Sequence, residues 1–271
     1  MADLHLGLFV LLGFGIGALG TLIGAGGGFI LLPVLLLLYP DAPPEHLTAI
    51  SLAVVFFNAS SGSIAYARLK RIDYRSGLPF ALATLPGAVL GAYATRYIPR
   101  HVFDAVLGTL LLALALFLLL KPKYRFTAMI TRQYRTYRIV TDRDGTVYKY
   151  SFNMVTGILI SVVVGFLSSI LGIGGGIIHV PVLSLVLHFP VALATATSHF
   201  ILAIMSFAGT CAHAVQGNLS NSVPVTLAIG MGSVAGAQLG AWLSHRTQPV
   251  WIIRALAAAL LLVAIRLLPI W

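Results

Sequence analysis

Charged residues are scarce in this sequence, at 9% of 271 residues, whereas soluble globular domains carry about 25%. Hydrophobic residues make up 59% of the chain. A water-soluble fold would leave much of this apolar surface exposed, so the composition predicts lipid as the solvent. Only α-helices and closed β-barrels satisfy backbone polar groups inside a bilayer. The apolar runs are continuous rather than alternating, which favours helices.

Acidic residues and cysteine are rarer still. The chain has seven Asp and Glu residues, and none lies deep in an apolar segment. Cation pumps and proton relays place carboxylates within the membrane, so this absence argues against a cation as substrate. The single cysteine, Cys211, excludes an intrachain disulfide. The phosphate-binding pattern GxxxxGK[ST] is also missing, which argues against a nucleotide-driven pump.

The net charge of +10 does not indicate a nucleic acid partner, because the positive charges concentrate in two connecting loops at 67–76 and 121–150. Basic loops of membrane proteins lie on the cytoplasmic side, where they contact anionic lipid. We therefore predict a multi-pass protein of the cell membrane, with 121–150 cytoplasmic and both termini external. Within this linker, residues 137–150 alternate bulky and polar side chains around Asp144-Gly145, a pattern that allows a small hairpin.

The apolar residues fall into ten segments, five on each side of the linker. A helical span needs about 20 residues, and the segments that begin at Gly27 and Gly174 are shorter, which indicates half-helices or re-entrant segments. We predict an all-α polytopic membrane protein with an N-terminal repeat (1–120), a basic linker (121–150) and a C-terminal repeat (151–271). The segments lie at about 6–23, 27–39, 47–66, 77–95, 102–120, 152–171, 174–187, 192–215, 223–243 and 250–268.

The two halves repeat each other. Gly24-Ala-Gly-Gly-Gly-Phe-Ile-Leu-Leu-Pro33 matches Gly172-Ile-Gly-Gly-Gly-Ile-Ile-His-Val-Pro181 at an offset of 148 residues. Thr48-Ala-Ile-Ser51 then matches Thr195-Ala-Thr-Ser198 at an offset of 147. Because each half holds an odd number of elements, the halves are expected to have opposite orientations in the membrane. This is the inverted-repeat arrangement of many transporters.

The paired GxGGG-x4-P motifs, each followed by T-A-x-S, resemble the sulfite exporter TauE/SafE family of membrane permeases. The resemblance covers nearly the whole chain apart from the linker. It implies a secondary transporter of small anions, namely sulfite, organosulfonates or related sulfur-containing or organic anions. Transport would proceed by alternating access at a site between the repeats, with rocking of the halves. The resemblance does not select one anion, a direction of flux or a coupling ion, and no cofactor is expected.

The two glycine-rich motifs are the leading candidates for substrate binding. Glycine lets the chain leave helical geometry, and a half-helix that starts after such a break directs free N–H groups and its positive dipole end inward. That arrangement binds an anion without a charged side chain. The alternative interpretation is close helix packing by small residues. The glycines concerned are Gly24, Gly26, Gly27, Gly28, Gly172, Gly174, Gly175 and Gly176.

Polar side chains inside the apolar segments are the second group of candidates. Hydroxyl and amide groups can donate hydrogen bonds to an anion, or they can bond to helix carbonyls and join helices. A buried histidine can pair with the anion or carry a coupled proton, and backbone carbonyls at broken helices can coordinate a coupled sodium ion. The candidates are Thr48, Ser51, Asn58, His179, Thr195, Ser198 and His199.

Two other functions compete with transport. One is a membrane-embedded enzyme that uses His179, His199 and His213 as metal ligands, although their spacings of 20 and 14 residues form no local ligand motif and HExxH is absent. The other is a structural or signalling role of the basic linker. The leading hypothesis remains a transporter without enzymatic activity.

Overall fold

The computed structural model of the chain describes residues 2–120, 135–220 and 222–244, and also 257, 260, 261 and 263–267. The first half contains α1 (Ala2–Ile23), α2 (Gly28–Leu38), α3 (Pro44–Arg68), α4 (Tyr74–Ala94), a 3-10 turn (Thr95–Tyr97) and α5 (Arg100–Leu120). A hairpin of β1 (Arg135–Thr141) and β2 (Val147–Asn153) follows. The second half contains α6 (Met154–Ile170), α7 (Gly176–Pro181, continued by a π-helical turn at Val182–Val186), α8 (Val191–Val215) and α9 (Val223–Leu243).

Five of the described helices are long and apolar enough to cross a membrane. The prediction of an all-α polytopic membrane protein is therefore confirmed. The segments expected to be short are short, since α2 has 11 residues and α7 with its π-helical turn spans Gly176–Val186. Most of the segment predicted at 250–268 lies outside the described residues. The inverted orientation of the halves and the external position of the termini stay predictions.

The two halves interleave through glycine-lined helix pairs. Helix α1 packs along α9, and α4 packs along α6, so each pair takes one helix from each half. A Cβ added to Gly236 of α9 would collide with the Phe14 carbonyl of α1, and one added to Gly165 of α6 would collide with the Thr84 carbonyl of α4. Glycine is needed at these positions because the backbones approach more closely than any side chain permits.

Helices α3 and α8 form the centre of the molecule. They pack against each other, while α3 also packs on α9 and α8 on α4. Both helices start after a proline, Pro43 and Pro190, which serve as N-cap residues with φ of −59° and −54°. Both carry the T-A-x-S sequence on the face that meets the glycine motifs.

The two short helices end at opposite ends of α3. The carbonyls of Leu36 in α2 and Ala42 after it accept hydrogen bonds from Arg100 at 3.4 and 2.8 Å, next to the start of α3 at Pro44. The chain that leaves the π-helical turn instead places Phe189 against Tyr150 of the hairpin, with ring centroids 4.5 Å apart. That hairpin lies at the far end of α3, where Leu69 accepts a hydrogen bond from it.

The linker hairpin predicted around Asp144-Gly145 is present. Its strands pair antiparallel from Arg135 opposite Asn153 to Thr141 opposite Val147, so β2 ends three residues beyond the expected linker boundary. Burial of Asp142 would raise its pKa. Hydrogen bonds from the N–H groups of Thr146 and Asp144, and the neighbouring Arg71, outweigh burial and lower the pKa below its ordinary value.

Candidate functional site

The two glycine-rich breaks lie in direct contact at the centre of the molecule. A Cβ added to Gly176 would lie 2.6 Å from the Gly24 carbonyl oxygen and 2.7 Å from the Ala25 Cα. One added to Gly28 would lie 2.9 Å from the carbonyl group of Ile173. Backbone from one half therefore packs against backbone from the other, and the first residues of α2 and α7 start beside this contact.

Left-handed backbone explains why both motifs need several glycines. In the first break Gly24, Gly26 and Gly27 have φ of 88°, 75° and 80°, and in the second Gly172 and Gly174 have φ of 62° and 77°. Residues with a Cβ rarely adopt this conformation. The chain therefore leaves α1 and α6, reverses direction over a few residues and enters α2 and α7.

Each T-A-x-S segment forms a hydrogen bond to the glycine break of the opposite half. The Ser51 hydroxyl of the first half donates to the Gly172 carbonyl at 2.6 Å, and the Ser198 hydroxyl of the second half donates to the Gly24 carbonyl at 3.2 Å. Thr48 packs on Gly172, and Thr195 packs on Gly24. The structure thus brings together four of the predicted hydroxyl residues and both glycine motifs, with each segment bound to the break of the opposite half.

Two of the buried hydroxyls that make no hydrogen bond within the described residues contact glycines of the second break. They are Thr48 Oγ1, on α3, and Ser168 Oγ, in the last turn of α6. A Cβ added to Gly175, the residue that caps α7, would lie 2.5 Å from Ser168 Oγ. Ser168 was not among the sequence candidates, because its counterpart in the first half is Gly20 and the repeat comparison selects positions that match. A buried hydroxyl without a partner is costly, so these two are donors available to a ligand.

Asn58 and His199 belong to a separate polar cluster beside the first break. The Asn58 amide donates to the Gly17 carbonyl at 3.0 Å and accepts from the Thr21 hydroxyl at 3.1 Å. His199 Nε2 lies 3.2 Å from the same Thr21 hydroxyl, and the Tyr66 hydroxyl donates to the Thr21 carbonyl at 2.8 Å. The cluster joins α1, α3 and α8, so in this conformation Asn58 connects helices.

The three histidines within the apolar segments each contact a different residue. His179 is 3.4 Å from the Ser161 hydroxyl, His199 contacts Thr21, and His213 contacts the Asn218 amide at 3.0 Å. Among the residues that the structure describes, no three His, Cys, Asp or Glu side chains form a group that could hold a metal ion. Within the described part of the chain, the geometry therefore provides no set of ligands for the hypothesis of a His-metal enzyme.

The meeting point of the breaks is closely packed in this conformation. Gly26 and Gly174 both contact Val55, and Gly26 also contacts Leu202. An apolar crevice of about 270 Å³ lies elsewhere, lined in part by Ala53, Phe57 and Cys211. Successive residues of a helix point 100° apart, so Ala53 and Phe57 face away from Val55 and the breaks. The crevice is therefore not an access path to the glycine motifs.

Comparison with known proteins agrees with the membrane architecture. The family model described as sulfite exporter TauE/SafE matches residues 9–267. The chain is 34% identical over 268 residues to the probable membrane transporter protein YunE of Bacillus subtilis, covering 96% of each chain. It is 25% identical over 261 residues to a probable membrane transporter protein of Methanocaldococcus jannaschii, covering 91% of this chain and 89% of the relative. No solved structure matches the chain. These matches cover both halves and both glycine motifs, and the chain therefore belongs to the sulfite exporter TauE/SafE family, whose members are membrane transporters rather than enzymes.

Proposed function

We propose that the protein transports small anions, sulfite or organosulfonates or related sulfur-containing or organic anions, through a site where the two glycine breaks meet. The observation that carries this proposal is the reciprocal contact of the breaks, in which Ser51 binds Gly172 and Ser198 binds Gly24. Two broken helices of opposite halves that meet at one point are typical of secondary transporters.

The chemistry of this point favours an anion. Among the described residues, the first-turn N–H groups of Gly28, Phe29 and Ile177 have no backbone acceptor, and the dipole of each half-helix adds partial positive charge there. Thr48 and Ser168 supply two further donors in the same place. Neither glycine cluster, Gly24–Gly28 or Gly172–Gly176, contains an acidic or a basic residue. A negative ligand would therefore be attracted without being held so tightly that it could not leave.

The helix packing favours two rigid bodies that move relative to each other and that do not coincide with the two sequence halves. Rocking of residues 1–120 against residues 151–271 would separate the closely packed pairs α1–α9 and α4–α6, because each pair takes one helix from each half. We assign one body to α1, α2, α3 and α9, and the other to α4, α6, α7 and α8, because this division keeps both glycine-lined pairs intact and leaves the contact between α3 and α8 as the interface. The bodies meet along α3 and α8 and at the breaks, so their separation on either side would open the packed site to an anion.

The site predicts that an anion stabilises the purified protein. We expect sulfite, thiosulfate or an organosulfonate to raise the midpoint of thermal unfolding in detergent, because a ligand at about 100 times its Kd stabilises the folded state by about 2.7 kcal/mol. Sodium chloride at equal ionic strength is the control for non-specific salt effects, and carboxylates test whether the class extends to organic anions. An unchanged midpoint with every anion, or stabilisation by an organic cation, would contradict the proposal.

A further inference from the structure

The tip of the linker hairpin contacts the end of α3 and Arg71 in the loop between α3 and α4, whose N–H donates to the Tyr66 carbonyl of α3. Asp142 forms a buried ion pair with Arg71 at 3.4 Å, and Asp144 lies 3.6 Å from the same guanidinium. The Arg143 N–H donates to the carbonyl of Leu69, which caps α3, at 3.0 Å. The Asp142 side chain also accepts from the N–H groups of Asp144 and Thr146, so the tip that carries the ion pair is itself ordered.

The body of the hairpin is attached to different helices. Tyr150 and Phe152 of β2 form an aromatic cluster with Phe80 of α4 and with Phe189, which precedes α8. The Tyr150 hydroxyl donates to Asp73, the N-cap of α4, at 2.7 Å. Burial, and then the Asp73 carboxylate, raise the pKa of Tyr150, so the phenol stays a donor.

The hairpin thus spans the two bodies assigned above. Its strands pack on α4 and α8, and β2 leads directly into α6, whereas its tip contacts the end of α3 and Arg71 just beyond it. Just beneath the tip, Ala65 and Tyr66 of α3 pack against Ala196 of α8. These are the surfaces that would have to separate if the bodies opened at this end of the molecule.

We propose that the linker hairpin is a latch that keeps the two bodies together at this end of the transporter, and that the Arg71–Asp142 ion pair is the contact that holds the latch in place. The inference rests on the proposed alternating access between the two bodies. The latch is also connected to the anion site, because the Thr197 hydroxyl accepts a hydrogen bond from the Asp73 N–H at 3.1 Å. The next residue, Ser198, binds the Gly24 carbonyl of the first break.

Opening at this end can be measured with a thiol placed beneath the latch. The reporter is Ala196→Cys in a Cys211→Ser background, labelled by a membrane-impermeant maleimide in vesicles that expose the hairpin side. We expect slow labelling of the reporter protein and acceleration on the order of tenfold in Asp142→Asn, because a charge-assisted contact is lost while the amide oxygen can still order the tip. Arg71→Gln should accelerate labelling at least as much, because it also removes the contact with Asp144. The double variant should add little to Arg71→Gln, because both changes remove the same ion pair.

Arg143→Gln is the matched control, since it neutralises an exposed neighbouring arginine but keeps the N–H that bonds to Leu69. It should label at the rate of the unmodified reporter, and gel filtration establishes that each variant is folded. Equal rates in all variants, or fast labelling of the unmodified reporter, would overturn the latch. The readout needs no anion. Accelerated labelling in a protein that binds no anion would therefore retain the latch and remove the proposed substrate class.

Discussion

Gly176→Ala should strongly reduce anion transport while leaving the protein inserted in the membrane. Gly176 does not have left-handed φ, so alanine is acceptable to its own backbone, but the new Cβ would lie 2.6 Å from the Gly24 carbonyl oxygen. The neighbouring atoms belong to backbone and cannot rotate away. Overpacking of this kind costs about 1–3 kcal/mol, which corresponds to roughly a 5- to 150-fold loss if it falls on the transporting conformations. Uptake of labelled sulfite into proteoliposomes is the measurement.

Gly15→Ala is the matched control for this substitution. Gly15 lies in α1, and a Cβ added there meets nothing within 4 Å. The same change of glycine to alanine should therefore leave transport unchanged. Equal transport by Gly176→Ala and Gly15→Ala would mean that the contact between the breaks has no part in function.

Ser51→Ala should reduce transport about tenfold. Ser198→Ala should reduce it by a similar factor, although the two residues lie 147 positions apart. Each removes the hydroxyl that satisfies a buried carbonyl of the opposite break, Gly172 or Gly24. A buried acceptor left without its donor costs about 1–3 kcal/mol. The affinity for the anion and the transport rate of both variants, measured in the same preparation, test this prediction.

Ser63→Ala provides the comparison on the same helix as Ser51. The buried Ser63 hydroxyl makes no hydrogen bond within the described part of the chain, so its removal should have little effect. A loss in Ser63→Ala as large as that in Ser51→Ala would show that any serine of α3 is equally sensitive. Loss in only one of Ser51→Ala and Ser198→Ala would argue that the two breaks contribute unequally.

The positions of the breaks and of the helices that hold them could be predicted from sequence. Glycine clusters followed by proline mark where a helix restarts, and the offset of 148 residues pairs the two motifs. The T-A-x-S segments recur in the same order, and this repetition predicts Ser51 and Ser198 as site residues from the sequence alone. The residue types alone are sufficient to predict the breaks, because left-handed backbone almost requires glycine.

Contacts between the halves could not be predicted in the same way. Nothing in one half indicates that Ser51 binds the break of the other half, or that Gly165 packs on Thr84. Ser168 was missed because comparison of repeats selects what the halves share, and asymmetric residues escape it. Asn58 was ambiguous between substrate binding and helix contact, since the same amide serves either role until its neighbours are known.

The position of a bound anion tests the central claim most directly. Selenite is an analogue of sulfite with an anomalous X-ray signal, so crystals of the full chain grown with selenite would locate the ion without assumptions about the fold. The predicted result is a single strong peak between Gly24–Gly28 and Gly172–Gly176, within hydrogen-bond distance of first-turn N–H groups and of Thr48 or Ser168. A peak only at the basic hairpin or in the apolar crevice, with the breaks packed as they are here, would contradict the proposed site.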